Sequence, residues 1–206
     1  MIDNQQKGTI YIVRHGETDW NTKKVTQSHI DVPLNETGIE QAYSLAQQLE
    51  DIRFEAIFSS DLSRASKTAE IIATERKLEI KTSEKLRGRD FGQFEGKPKA
   101  ALKELDEAIV GLTNQEKLYF KGFEMESDAE VIERVFSLFQ EIITNYQDKT
   151  VLIVTHETVI RAILIHLKIG NYSTILPGAV GNGAEVRLAV RGEDFTVEEI
   201  KDINIS

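Results

Sequence analysis

Three short apolar runs, each followed downstream by a stretch with helical spacing, constrain the fold most. TIYIVR (9–14), EAIFS (55–59) and TVLIVTH (150–156) are brief and rich in β-branched and aromatic residues, as buried strands are. Behind the first run, residues 36–50 place Ile39, Ala42, Leu45, Ala46 and Leu49 on one helical face. Behind the second, Ser60 or Asp61 could cap a helix running to about Arg76. Residues 128–146 repeat apolar positions from Val131 to Ile143 at helical spacing, and a further helix over 157–168 follows the third run. Two more strand candidates, 184–190 and 195–200, close the chain. Strands alternating with helices call for an α/β fold, a three-layer αβα sandwich around a mainly parallel sheet.

The 206 residues suit a single domain over 1–206. Nothing reads as a repeat or a dividing linker. Residues 86–99 hold three glycines and a proline and read as a loop. A weakly patterned, mostly helical insertion is expected at about 97–125.

Lys and Arg number 25 against 34 Asp and Glu, a net charge of −9, which disfavours a nucleic-acid or anionic-membrane surface but leaves room for a local anion site. The absence of cysteine excludes disulfides and thiolate metal sites. MIDNQQKGTI lacks the charged-then-apolar pattern of a signal peptide, and no apolar run approaches the roughly 20 residues of a membrane span. The expectation is a cytoplasmic protein with a small-molecule partner.

Arg14-His15 ends the first strand and Thr155-His156 the third, while Arg64 falls in the first turn of the helix after EAIFSS. Ligands of open α/β sheets sit beyond the carboxyl ends of the strands, where these residues converge. The chemistry fits a phosphoryl group. Arginine forks match its oxygens, a neutral imidazole can attack phosphorus, and phosphoryl transfer needs mainly positioning and charge neutralisation. The helix starting near Glu157 adds its N-terminal dipole. A histidine at a strand end can equally be structural; His29, in a polar loop, and His166, within the 157–168 helix, are read so. Gly16 beside His15 would let backbone approach a ligand. His15 and His156 lack the helical spacing of a metal pair, so no metal or cofactor is expected.

These segments carry a resemblance to the histidine phosphatase superfamily, also called the phosphoglycerate mutase-like family. RHGETDWN (14–21), QSHIDVPLNETGIEQA (27–42), SSDLSRASKTA (59–69), LRGRDFGQFEG (86–96), VTHETVIRAIL (154–164) and NGAEV (182–186) resemble its blocks in order, over nearly the whole chain. The resemblance implies that His15 is the nucleophile, passing through a phosphohistidine, and that Arg14, Arg64 and His156 clamp the phosphoryl oxygens. It also implies that Asn21, Gln27 and Ser28 line the substrate side, while Glu17 and Thr18 support the loop.

Three positions depart from that pattern. Gly88 stands where the family carries the glutamate that protonates the leaving group, and losing such an acid typically costs about 10²–10⁴ in rate. Glu157, next to His156, could replace it, as could Asp90; alternatively the substrate has a leaving group that needs little protonation, or the chain only binds phosphorylated ligands. Ser28 and Thr158 stand where glycines are usual, and Ser28 could narrow the pocket or touch the substrate. The 97–124 segment has five lysines, from Lys97 to Lys121, and no arginine, against the arginine-rich insertion of family mutases. Hydrolysis of a phosphomonoester is therefore expected, with mutase-type transfer or phospho-ligand binding as the alternatives.

Overall fold

The computed structural model describes residues 8–74 and 76–206; the segment 1–7, on which the reading of the N-terminus rests, lies outside them. Six strands form one sheet in the order β3-β2-β4-β1-β5-β6. They are β1 (Gly8–Arg14), β2 (Ala56–Ser59), β3 (Ile80–Thr82), β4 (Thr150–Thr155), β5 (Val180–Arg191) and β6 (Asp194–Ile203). Strands β1 to β4 run parallel, and β5 pairs antiparallel with β1 and β6.

The strand pleat explains the layers. Ile10 and Ile12 of β1 and Val151 and Ile153 of β4 face α6 (Asp128–Asn145) and α7 (Glu157–His166), against Val135, Phe139, Ile160 and Ile163. Tyr11, Val13, Leu152 and Val154 point the other way, onto Leu45 and Leu49 near α2 (Glu36–Gln48) and Ala65, Ala69 and Ile72 of α3 (Ser63–Ala73). Both faces of the central strands are thus covered, as in an αβα sandwich.

The helix boundaries differ in detail from the expectation. Helix α3 ends at Ala73, before Arg76, and neither Ser60 nor Asp61 caps it. Its N-cap is Leu62, and the Ser63 N–H is satisfied by the Asp31 carboxylate at 2.7 Å, a cap supplied from another segment. Asp61 instead holds Arg87. Ile39 of α2 is 36% exposed, off the buried face it was expected to share. Strand β3 has only three residues and a polar surround, too little period to announce itself. The stretch after Pro98 holds a 3₁₀ turn and two short helices, α4 (Lys103–Ile109) and α5 (Asn114–Tyr119). Its small apolar cluster of Phe94, Leu105 and Met125, with Phe91, Ile109, Phe120 and Phe123, is separate from the main core. Among the described residues no helix is long and apolar enough to cross a membrane.

Candidate active site

Strands β1 and β4 are parallel and in register, Arg14 opposite Thr155, so the next residues, His15 and His156, leave the sheet side by side. Their ring centroids are 5.0 Å apart. The His15 N–H donates to the Thr155 carbonyl at 3.0 Å, extending the ladder by one rung. The His15 Nδ1–H donates to the Gly16 carbonyl at 2.6 Å, which fixes the tautomer and leaves the Nε2 lone pair free.

Glycine at position 16 is required by packing. A Cβ there would lie 2.3 Å from the Gly38 carbonyl oxygen, and one on Gly38 would lie 2.0 Å from that of Glu17. The loop therefore rests directly on the start of α2. Glu17 pins it there, accepting from Asn35 Nδ2 at 2.9 Å and donating its N–H to Gln41 at 2.8 Å. Thr18, with no exposed surface, caps α1 (Asp19–Thr22) in a reciprocal pair with Asn21. Asn182 donates to the His15 carbonyl at 3.0 Å from the far side.

Arg64, 2% exposed, donates to the Ile30 and Ser28 carbonyls at 3.0 and 2.7 Å. Arg14 donates to the Val180 carbonyl and lies 3.9 Å from Glu157 Oε2. Arg14 Nε, Arg64 Nε and His156 Nε2 are buried with no hydrogen-bond partner among the described residues. Buried polar groups are normally paired, so three orphans around one point mark a place built for a ligand. Burial, then Arg14 and Arg64, push His15 well below its ordinary 6.5; burial, then Arg64, do the same to His156. Both imidazoles are therefore neutral near pH 7. Burial also lowers the Arg64 guanidinium, to about 10, with Asp31 working against it. Two desolvated cations beside two neutral imidazoles suit a dianion.

These groups open into a cavity of about 320 Å³. Arg14, His15, Arg64, His156 and Glu157 line it with Asn21, Gln27 and Ser28; Gly16 and Thr18 stand behind it as braces. Asp90 does not line it: its carboxylate accepts the Gly92 N–H at 2.7 Å and shapes the local turn. Glu157 accepts the Gly178 N–H with one oxygen and faces Arg14 with the other. A larger hollow of about 610 Å³, beside Gly8 and Tyr146, has neither histidine nor arginine in its lining. Among the described residues no three His, Asp or Glu side chains cluster to hold a metal.

The three departures converge on one loop. Ser28, at φ +51°, donates its hydroxyl to the Arg89 carbonyl at 2.8 Å and accepts the Phe91 N–H at 2.9 Å. Thr158 Oγ1 accepts the Arg89 N–H at 2.9 Å. A Cβ on Gly88 would meet Thr158 Oγ1 at 3.4 Å and His156 at 3.5 Å, so a side chain there would grow beside the second histidine. The Gly88 carbonyl is held by Arg134 and His29, at 3.0 and 2.9 Å.

Periodicity gave no sign of a second polar wall. Asp128, 4% exposed at the start of α6, lies between Arg89 at 3.3 Å and Arg161 at 3.8 Å and accepts the Tyr172 hydroxyl at 2.8 Å. Burial and Asp128 push the Tyr172 hydroxyl upward, so it stays protonated. All four line the cavity. Only their arrangement in space joins them, because they come from four separate segments.

The family model of the histidine phosphatase superfamily (branch 1) matches residues 10–203. A phosphatase of Bacillus subtilis (strain 168), PhoE, itself uncharacterized, is 34% identical over 79% of this chain and 78% of its own length. A phosphoglycerate mutase-like protein of Arabidopsis thaliana is 36% identical over 75% of this chain and 68% of its own. The solved structure of Bacillus stearothermophilus YhfR superposes with a TM-score of 0.81 at 28% identity, covering 97% of this chain and 98% of that one. With the two histidines and two arginines in place, and the match running from β1 to β6, this chain belongs to the histidine phosphatase superfamily.

Proposed function

We propose that the protein is a metal-independent phosphomonoester hydrolase working through a phosphohistidine on His15. The observation that carries this reading is the set of unpartnered atoms, Arg14 Nε, Arg64 Nε and His156 Nε2, grouped with the free Nε2 of a neutral His15. Arg14, Arg64 and His156 hold the phosphoryl oxygens and neutralise their charge, the task a metal performs elsewhere. His15 Nε2 attacks phosphorus in line, forming the N–P bond as the ester P–O bond breaks. Water then attacks phosphorus, the N–P bond breaks, and inorganic phosphate leaves with His15 neutral again. Glu157 positions Arg14, and the proton of that water passes to the phosphoryl oxygens or to solvent. Asn21, Gln27 and Ser28 bound the substrate side.

Mutase-type transfer is the second reading, and the naming of the Arabidopsis relative favours it. A mutase must exclude water and grip a small phospho-acid. Here Arg89 and Arg161, the arginines of the lining outside the phosphoryl site, are already committed to Asp128, which supports hydrolysis.

Phosphate release from phenyl phosphate, measured in excess chelator with wild type and with His15→Ala, tests the proposal. Turnover that survives the chelator and vanishes in His15→Ala is expected. Turnover that persists in His15→Ala, or that needs added metal, overturns it.

A further inference from the structure

We infer that the leaving group this site accepts is a phenol: the substrates are aryl phosphates with a free aromatic face, not phosphorylated sugars or other alkyl esters. The inference rests on the phosphatase reading above and concerns the half of the cavity away from His15.

The first observation is chemical. In-line attack by His15 pushes the leaving oxygen away from Nε2, into the remainder of the cavity. An alkoxide leaves poorly unless a proton is delivered as the P–O bond breaks; a phenolate leaves without help. Three carboxylates line the cavity, and none is free to deliver one beside His156. Asp128 is enclosed by Arg89, Arg161 and Tyr172. Glu157 is engaged as an acceptor from Gly178 and as the counter-charge of Arg14. Asp106 projects from the exposed side of α4. Gly88, whose missing side chain would stand at 3.5 Å from His156, offers none.

The second observation is the wall itself. Phe91, Leu102, Leu105, Ile109 and Phe120 line the cavity and belong to the small separate apolar cluster. Phe91 is held there by the devices that replace the usual glycines: Ser28 Oγ takes its N–H, and Thr158 fixes the Arg89 N–H beside it. Ser28 adopts φ +51° to do so, a left-handed conformation that L residues other than glycine rarely take. One loop therefore both omits the acid and presents an aromatic ring. Against these five apolar side chains a hydroxylated sugar would lose hydration, whereas an aromatic ring gains burial; Lys99, Asp106 and Lys117 also line the cavity, but they are exposed or half-exposed and keep their own hydration. The polar residues of the opposite wall satisfy one another, so they do not offset that preference.

The step balances without a co-reactant. The His15 Nε2–P bond forms, the P–O(aryl) bond breaks, and the electron pair leaves with the phenolate, which takes its proton from water. The second water supplies the oxygen of phosphate as the N–P bond breaks.

The experiment measures kcat/KM for 2-naphthyl phosphate, phenyl phosphate and glycerol 2-phosphate, in wild type, Ile109→Asp and Phe120→Ala. Ile109, at the end of α4, and Phe120, just after α5, are only half-buried, so both variants should fold; circular dichroism checks this. Wild type should favour the two aryl esters over the alkyl ester by about 100-fold or more, the factor that an absent acid withholds. It should also favour naphthyl over phenyl through KM, and each variant should erase that second preference by about tenfold, as expected for lost apolar burial. Comparable turnover of glycerol 2-phosphate and the aryl esters would overturn the inference. So would a naphthyl preference unmoved in both variants. In either case, with turnover still abolished in His15→Ala, the phosphatase reading stands and only the substrate class fails.

Discussion

At one end of the cavity, His15, His156, Arg14 and Arg64 emerge from strand ends and the first turn of α3, all but buried and fixed by backbone contacts. At the other, Phe91 comes from a loop, Ile109 from the end of α4 and Phe120 from just after α5, half exposed and packed on a cluster of their own. The first end is rigid because the sheet places it: register alone brings His15 beside His156. The second is held by a few hydrogen bonds to Ser28 and Thr158 and can change without disturbing the sheet. Chemistry is built into the framework and selectivity into its attachment, as expected when one fold serves many substrates.

The largest effects should separate the two ends. Arg64→Ala should lower kcat/KM by about 10²–10³ for every ester alike, because it removes charge stabilisation from the phosphoryl group all of them share. Ile109→Asp should act on aryl esters alone. Equal losses across esters in both variants would erase the distinction.

Next in size is the acid. Gly88→Glu places a carboxyl beside His156 with only ordinary contacts at its Cβ. It should raise turnover of glycerol 2-phosphate, by up to about 10², and leave phenyl phosphate nearly unchanged. A gain of the same factor for both esters would mean that leaving-group protonation is not what Gly88 withholds.

The pH profile sharpens the same contrast. His15 attacks only when neutral, and burial with Arg14 and Arg64 holds it well below 6.5. Activity should therefore persist as pH falls through 6.5 and drop only at the depressed value. Arg64→Ala removes one of the charges that depress it, so its acid limb should move to higher pH, while that of Ile109→Asp should stay. Stability has the matching sign. A histidine depressed in the fold takes up its proton more readily when unfolded, so stability present above 6.5 should fall as pH drops below it. Denaturant unfolding of wild type, His15→Ala and His156→Ala across that range checks this, the variants showing the flatter curves.

The smallest effect concerns the loop. Thr158→Val leaves the Arg89 N–H without its partner and should cost about 1–2 kcal/mol, read in urea. Ser28→Gly relieves the positive φ but loses two hydrogen bonds, so its stability should change by less than about 1 kcal/mol while its aryl selectivity weakens.

The framework was legible because its signals are local. Strands such as TVLIVTH and the face from Val131 to Ile142 have a strong period, and RHG directly after a strand places its histidine at the sheet edge. What the sequence hid depends on contacts between distant segments. The cap of α3 comes from Asp31, the Arg89–Asp128–Arg161–Tyr172 cluster draws on four segments, and Gly16 packs directly on Gly38. Ser28, Thr158 and Gly88 could each be seen as departures, but their meeting on residues 88–91 exists only in three dimensions. The insertion was hardest to read, because its helices are short and its apolar residues serve a small cluster and a cavity wall at once.

The most direct test of the phosphohistidine is rapid acid-free quenching of wild-type protein during turnover of 2-naphthyl phosphate in excess chelator, followed by intact mass and peptide mapping. One added phosphoryl group, acid-labile and located on His15, forming and decaying as fast as phosphate is released, is the expected result. Steady turnover with no such adduct, or an adduct on another residue, would contradict it.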